Sequence, residues 1–397
     1  MSRKLIDSGN NAAALAARLA GIDVVAAYPI TPQTPLTEKL SEWVASGELE
    51  AEYVAVESEH SALGVCIGAA AAGVRAFTAT SANGLLYMSE QLHWAAGARL
   101  PLVMCVVNRG VGAPWSVWND HQDAMSQRDT GWIQLFCRDH QEIVDTVIKA
   151  FRLAEAVHIP VMVNYDGYYL SHTYMPFELP EESEVRAFVG PYRYEHALDP
   201  DHPENLNSVT LPDPRNDREG NLCGGYMDIR HNLQQELHRS LDVLEEIDAE
   251  FNRTFGRGGA PVLDAYRIED AEVVLVAMGS LAHQLRVVTD RLREEGVAVG
   301  VLAVQVYRPF PARHLIQALT GFDKVLVFEK GLSYGHQGAL FSDLKSVLYH
   351  APERPLVRGF VAGLGGRVIE TETLCQQVRQ ALDEEDDVAS KWIGVQL

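Results

Sequence analysis

Asp23-Val24-Val25-Ala26-Ala27-Tyr28-Pro29-Ile30-Thr31-Pro32 is an apolar run that ends on two prolines with a hydroxyl between them. A run of this length bounded by such breakers reads as a buried strand whose carboxyl end opens into a turn. Around it the same beat repeats. Helices are expected at about 11–20, capped by Asn10 or Asn11 and closed by Gly21, then at 36–44, 58–72, 84–98 and 141–157. Strands are expected at 52–56, 75–80, 102–108 and 160–164. Strand, turn and helix in alternation predict an α/β fold built on an open parallel sheet with helices on both faces.

From Thr173 to about Leu233 the beat is lost among prolines, aspartates and glycines, which reads as an irregular arm with at most one hairpin. Leu233, Leu237, Leu241, Leu244, Ile247 and Phe251 then recur every three or four residues, as on one face of a helix. Gly256, Gly258 and Gly259 follow it and mark a boundary. Strands at 272–278, 297–304, 324–329 and 356–361 alternate with helices beyond. The expected organisation is a first domain over 1–232, with its arm at 173–232, a linker helix and glycine-rich boundary over 233–261, and a smaller α/β domain over 262–397.

Composition bounds the function. The 397 residues are 47% hydrophobic and 22% charged, an ordinary globular balance. Asp and Glu number 54 against 33 Lys and Arg, a net charge of −21 that argues against nucleic acid or an anionic membrane as partner. Cysteines 66, 105, 137, 223 and 375 are scattered and unpaired in spacing, so neither a disulfide framework nor a zinc or iron-sulfur site is expected. A reducing, cytoplasmic setting follows from that usage, and no signal peptide or membrane span is read in the sequence.

Chemistry gathers at the expected strand ends. Tyr28, Pro29 and Thr31 follow the first strand, where open parallel sheets place their ligands. Glu59 opens a helix of very small residues, Ala62, Gly64, Gly68, Ala69 and Ala70, that lets a flat molecule or another backbone approach closely. An acid that merely caps the helix would look the same. Ser81, Asn83 and Gly84 form a polar turn before another helix. Arg109 follows the 102–108 strand with a guanidinium suited to a carboxylate, although a surface ion pair would also use it. Trp115, Trp118, Asn119, His121 and Asp123 belong to an aperiodic stretch that reads as a loop over a site; His121 and Asp123 resemble a metal or acid-base pair only superficially, and no metal site is assigned.

Tyr28-Pro29-Ile30-Thr31-Pro32, Glu57-Ser58-Glu59-His60, Thr80-Ser81-Ala82-Asn83-Gly84, Trp118-Asn119-Asp120-His121-Gln122-Asp123 and Gln127-Arg128-Asp129-Thr130-Gly131, in this order, resemble the alpha subunit of the 2-oxoacid:ferredoxin oxidoreductases. The similarity spans about 8–166 and 272–367. It implies a domain that binds the aminopyrimidine end of thiamin diphosphate, followed by a domain similar to the transketolase carboxy-terminal domain. It further implies a beta subunit holding the diphosphate and Mg2+, gamma and ferredoxin-like delta subunits or fused equivalents carrying [4Fe-4S] clusters, and a dimer of such hetero-oligomers. Ferredoxin or another acceptor would take the electrons and coenzyme A the acyl group.

By the same resemblance Glu59 matches the glutamate that bonds the aminopyrimidine ring nitrogen, with Tyr28, Pro29, Ser81, Asn83 and Gly84 around the cofactor. Thr31 and Arg109 match residues that hold the 2-oxoacid. Trp115, Trp118, Asn119 and His121 are candidates for the substrate pocket, and the two tryptophans suit a side chain as large as that of phenylglyoxylate as well as pyruvate. Two other classes fit the sequence: a non-redox thiamin enzyme subunit of transketolase or dehydrogenase-component type, and a scaffold without activity. A brown, cluster-containing assembly would separate the redox class from the first of these.

Overall fold

The computed structural model describes residues 2–192, 194, 198, 212–216, 220, 222–384 and 389–396. In chain order the first half runs β1 (Arg3–Ser8), α1 (Gly9–Ala20), β2 (Val24–Ala27), α2 (Thr34–Ser46), β3 (Glu52–Ala55), α3 (Glu59–Ala71), β4 (Ala76–Thr80), α4 (Ala82–Tyr87), α5 (Ser89–Gly97), β5 (Val103–Asn108), α6 (Gln122–Ser126), β6 (Ile133–Phe136), α7 (His140–Val157), β7 (Val161–Asp166), β8 (Tyr174–Leu179) and α8 (Glu182–Val189). The second runs β9 (Arg215–Asn216), β10 (Leu222–Cys223), α9 (Tyr226–Phe255), β11 (Leu263–Tyr266), β12 (Val273–Ala277), α10 (Gly279–Glu294), β13 (Val299–Val304), β14 (Val306–Arg308), α11 (Ala312–Leu319), β15 (Lys324–Glu329), α12 (Ala339–Leu348), β16 (Leu356–Val361), α13 (Thr371–Asp383) and β17 (Lys391–Trp392).

Two sheets organise these elements. A seven-stranded sheet has the order β14-β6-β7-β5-β4-β2-β3, parallel except for β14. A six-stranded sheet has the order β11-β13-β12-β15-β16-β17, parallel except for β11. The central strands β4, β5 and β7 are buried along their whole length, as strands covered by helices on both faces must be. The two sheets are not independent. β14 leaves the six-stranded sheet directly after β13 and pairs antiparallel with β6, so its Val306 faces Leu135 at the edge of the other sheet.

Half of α1 is alanine because it is enclosed by α2, α7 and α8, and Ala12, Ala13, Ala14, Ala16, Ala17 and Ala20 are all buried. Its cap is Ser8, whose hydroxyl accepts from the Asn11 amide, rather than Asn10 or Asn11. Asn10 is thereby free to tie α1 to two other segments. Its amide donates to the Pro32 carbonyl at 2.8 Å and its oxygen accepts from the Tyr165 hydroxyl at 2.9 Å. In α9 the six apolar residues named from the sequence are buried, together with Ser240 and Asp248, and the helix packs on α7. The single helix expected at 84–98 is two helices that meet at Met88, whose backbone (φ −81°, ψ −3°) is tighter than α-helical.

The stretch after Thr173, expected to be irregular, instead forms β8 and α8. β8 pairs antiparallel with β1 as a two-stranded ribbon, in which Pro176 lies opposite Ile6. Proline is admissible on such an edge, and a proline within six residues is what hid the strand. Further along the expected arm β9 and β10 form a two-residue antiparallel pair, and most of 193–221 lies outside the described residues. No helix among the described residues is long and apolar enough to cross a membrane.

Glu329, the last residue of β15, is buried and accepts the amides of Leu340 (3.0 Å) and Phe341 (3.1 Å) in the first turn of α12. Burial pushes its carboxyl up to about 8, against the pull of those amides. A folded-state value above the unfolded one means that the carboxyl costs stability progressively as pH rises from about 4.5 to 8. Glu329→Gln should therefore gain on the wild type by up to about 1.4 kcal/mol per pH unit across that window, read as the difference in urea midpoints at pH 5 and pH 8. A difference independent of pH would show that Glu329 does not carry this proton.

Candidate active site

The parallel strands of the larger sheet deliver their carboxyl ends to one edge in the order β7, β5, β4, β2, β3. That edge carries Asp166, Arg109, the Ser81–Gly84 turn, the Tyr28–Pro32 turn and Glu59. Ser58, in extended conformation, caps α3 by accepting the Ser61 amide, so the cap that Glu59 might have provided is already in place. Glu59 is only 8% exposed. Its carboxylate has no hydrogen-bond partner among the described residues, although it stands in the first turn of a helix.

Gly84 is the reason that this carboxylate has room. A Cβ on Gly84 would lie 2.5 Å from the Thr80 Oγ1 and 2.7 Å from the Glu59 Oε1. Thr80 Oγ1 is itself buried and without a partner. A nearly buried carboxylate and a buried, unsatisfied hydroxyl thus converge where only a glycine backbone passes. Of the other turn residues, Ser81 donates its hydroxyl to the Val107 carbonyl at 2.6 Å, and Asn83 is exposed with its side-chain oxygen on the Gly112 amide at 3.1 Å.

Arg109 is 4% exposed, and its guanidinium donates to the Thr31 carbonyl at 2.5 Å. The Nε atom of the same guanidinium is buried without a partner. Tyr28, Pro29 and the Thr31 side chain are exposed beside it, and the Pro32 carbonyl is held by Asn10. Trp115, 79% exposed, lies with its ring 5.7 Å from the Arg109 guanidinium carbon. The Trp118 ring lies 4.6 Å from that of Tyr168, which follows β7, tilted by 42°.

Asn119 and His121, read as candidates for the pocket wall, are instead enclosed in the seam between the two sheets. The Asn119 carbonyl accepts the Gly366 amide at 2.6 Å, and the His121 amide donates to the Lys330 carbonyl at 2.7 Å. The His121 ring does not pair with Asp123. It bonds Asp166 at 2.8 Å, and Asp166 also accepts the Ser280 amide (2.8 Å) and the Lys330 ammonium (3.2 Å). Burial alone would raise the Asp166 carboxyl, but Lys330, His121 and Ser280 overcome it and hold the group far below the usual carboxylate range. Among the described residues no group of three or more His, Cys, Asp or Glu could hold a metal ion.

Of the residues that meet here, Asp166 and Lys330 were not singled out from the sequence, while Asn10 was named only as a helix cap and Thr80 only within the Thr80–Gly84 motif. Asp166 and Lys330 had a signal, since each stands at the end of an apolar strand, but nothing in the sequence joins residues so far apart.

A model for pyruvate flavodoxin/ferredoxin oxidoreductase, thiamine diP-binding, matches residues 15–223, and one for pyruvate:ferredoxin oxidoreductase core domain II matches 271–374. Pyruvate synthase subunit PorA of Methanocaldococcus jannaschii is 43% identical over 98% of the chain and 97% of its own length. The chain belongs to the 2-oxoacid:ferredoxin oxidoreductases, as an alpha subunit. Another relative of this alpha subunit is ketoisovalerate oxidoreductase subunit VorA of Pyrococcus horikoshii, 39% identical over 96% of the chain and 95% of VorA. Among solved structures, a 2-oxoglutarate:ferredoxin oxidoreductase from Magnetococcus marinus shares the fold with a TM-score of 0.70 at 21% identity. The alpha subunit is covered over 96% of its length in that comparison and spans 65% of the other chain.

The seam of the alpha subunit makes a direct prediction. Lys330→Met removes the cation and leaves Asp166 buried beside His121 and the Ser280 amide alone. It should destabilise the fold by about 3 kcal/mol in urea denaturation. A loss below about 1 kcal/mol would mean that His121 suffices to balance Asp166.

Proposed function

We propose that this chain forms the aminopyrimidine and substrate wall of a thiamin diphosphate site shared with a beta subunit, in a complex that converts pyruvate and coenzyme A to acetyl-CoA and carbon dioxide. The observation that carries the reading is the Glu59 carboxylate, nearly buried yet unpartnered, facing the backbone gap at Gly84. The residues fit the cofactor's aminopyrimidine end: an acceptor aligned by a helix start, a buried hydroxyl on Thr80 with nothing to bond, and a cradle that a Cβ would fill. Ser81, Asn83, Tyr28 and Pro29 would complete its surroundings. Mg2+ and the diphosphate would be held by the beta subunit, and [4Fe-4S] clusters by gamma and delta chains or fused equivalents, with the assembly in the cytoplasm as a dimer of hetero-oligomers. Exposed Tyr87 and Trp94 on the α4–α5 face, beside the small residues of α3, suit such a partner.

When bound, thiamin diphosphate supplies a nucleophilic carbon and a sink for the electron pair left behind by carbon dioxide. The Glu59 side chain shares a proton with the aminopyrimidine ring nitrogen, which sets the tautomer of that ring. Arg109 orients the carboxylate of the 2-oxoacid, and Thr31 offers its hydroxyl to the keto oxygen. The bond between C1 and C2 breaks with release of carbon dioxide. The two electrons released would go to clusters on the partner subunits and then to ferredoxin, and coenzyme A would take the acyl group with loss of its thiol proton.

Pyruvate is favoured because the PorA relatives are 42–43% identical over 98–100% of the chain, against 39–42% over 94–96% for the VorA relatives. A larger acid is the second reading, supported by exposed Trp115 and Trp118 beside Arg109. Turnover of pyruvate, 2-oxoisovalerate and phenylglyoxylate by the purified complex decides between them: pyruvate should lead, and a preference for phenylglyoxylate would reverse the assignment.

Glu59→Gln should lower kcat by at least about a hundredfold with assembly intact on gel filtration, the scale of a lost acid-base contact. Turnover unchanged in that variant would remove Glu59 from the site. Gly84→Ala, which drives a methyl into Glu59 and Thr80, should lower kcat to a similar degree while Glu59 itself is untouched.

A further inference from the structure

Asp123 lies in the first turn of α6, wholly buried, and its two oxygens serve four donors. One oxygen, Oδ2, accepts the backbone amide of Ala82 and the backbone amide of Arg109, each at 2.9 Å. The other, Oδ1, accepts the Asn108 side-chain amide at 2.9 Å and the Ala124 amide at 2.8 Å. Ala82 opens the turn after β4, in left-handed backbone conformation (φ 46°), and Arg109 is the first residue after β5. These strands are neighbours in the sheet, but their ends lead to different parts of the site. The Ala82 turn continues to Gly84, whose lack of a side chain leaves room for Glu59, while the Arg109 guanidinium holds the Thr31 carbonyl. A single carboxylate oxygen is therefore the point at which the two walls of the site meet.

Resting on the site reading above, we infer that Asp123 is a positioning residue that holds the thiamin side and the 2-oxoacid side of the site in register. Its chemistry suits no other side chain of its size. An asparagine offers one oxygen, and its NH2 group would face two N–H donors whichever way the amide is turned. Either the Ala82 and Arg109 amides or the Asn108 and Ala124 donors would then be left buried and unsatisfied. Burial pushes the Asp123 carboxyl up to about 6, opposed by its hydrogen bonds, with the Asp120 carboxylate raising it further. All four of its partners are N–H donors, which suits the ionised carboxylate, and Arg109 is the cation that faces it. The arrangement keeps a costly charge for the sake of four bonds.

A residue placed in this way has a signature that separates it from Glu59 and Arg109. Its loss moves cofactor binding and substrate binding together, whereas Arg109 acts on the substrate alone. The test uses the assembled complex carrying Asp123→Asn, with three measurements: calorimetric affinity for thiamin diphosphate without substrate, KM for pyruvate, and amide hydrogen exchange in peptides covering Ala82 and Arg109. The dissociation constant and KM should each rise about tenfold or more, and both peptides should exchange faster. Arg109→Lys should raise KM and leave cofactor affinity unchanged.

Should Asp123→Asn not assemble, Asp123→Glu carries the same test, since it keeps the carboxylate and displaces it by one methylene. Either variant with both constants within twofold of wild type overturns the positioning role. If that result comes with Glu59→Gln abolishing turnover, the site reading stands and only Asp123 loses its part. If Glu59→Gln turns over normally, the reading of the site itself has failed. A rise in KM alone would assign Asp123 to the Arg109 loop and overturn the link between the two walls.

Discussion

Asp166 is wholly buried, so the donors to its charge come from the protein, and they come from both sheets. β7 of the larger sheet supplies the carboxylate, while Lys330 after β15 and the Ser280 amide at the start of α10 belong to the smaller one. The third donor is the His121 ring, from the aperiodic segment that runs between the sheets. A buried charge is tolerated only when its partners are fixed in place, and so the triad determines where the second sheet can sit. Gly279 shows how closely it is drawn: with φ of 60°, a Cβ there would lie 3.0 Å from the His121 ring.

Once His121 is fixed, the residues on either side of it lose their freedom. Asn119 and Asp120 are tied to Gly366 and Gly365, and Gln122 exchanges two hydrogen bonds with the Leu332 backbone at 2.6 and 2.9 Å. A Cβ on Gly366 would strike the Trp118 Cβ at 2.5 Å, so the segment is clamped at its start as well. Asp123 follows directly and reaches back to the ends of β4 and β5. The seam thus transmits its rigidity to the turns that carry Gly84 and Arg109. The second domain has a part in the site without contributing a residue to it: it holds the loop that holds the walls.

How much of this was legible in the sequence depends on the range of the interaction. Short apolar runs followed by prolines or polar turns located the ends of β2, β4 and β5, because alternation and turn chemistry are local. Glu59 and Arg109 stood out because each is a charged residue immediately beyond or before such a run. Asp123 was visible only as a neighbour of His121, whereas most of its partners are backbone amides that no composition can reveal. The His121–Asp166–Lys330 set joins residues brought together only by the docking of two sheets. β1 and β8 stayed hidden because a two-stranded ribbon with a proline in it has little pattern, and Ser8 was passed over as a cap because it ends that ribbon.

The central claim is that this alpha subunit carries half of a cofactor site. Thiamin diphosphate binding by calorimetry, to the isolated chain and to the chain assembled with its copurifying partners in the presence of Mg2+, tests it directly. The assembled complex should bind at least about a hundredfold more tightly than the chain alone. Equal affinity in the two states would contradict a shared site.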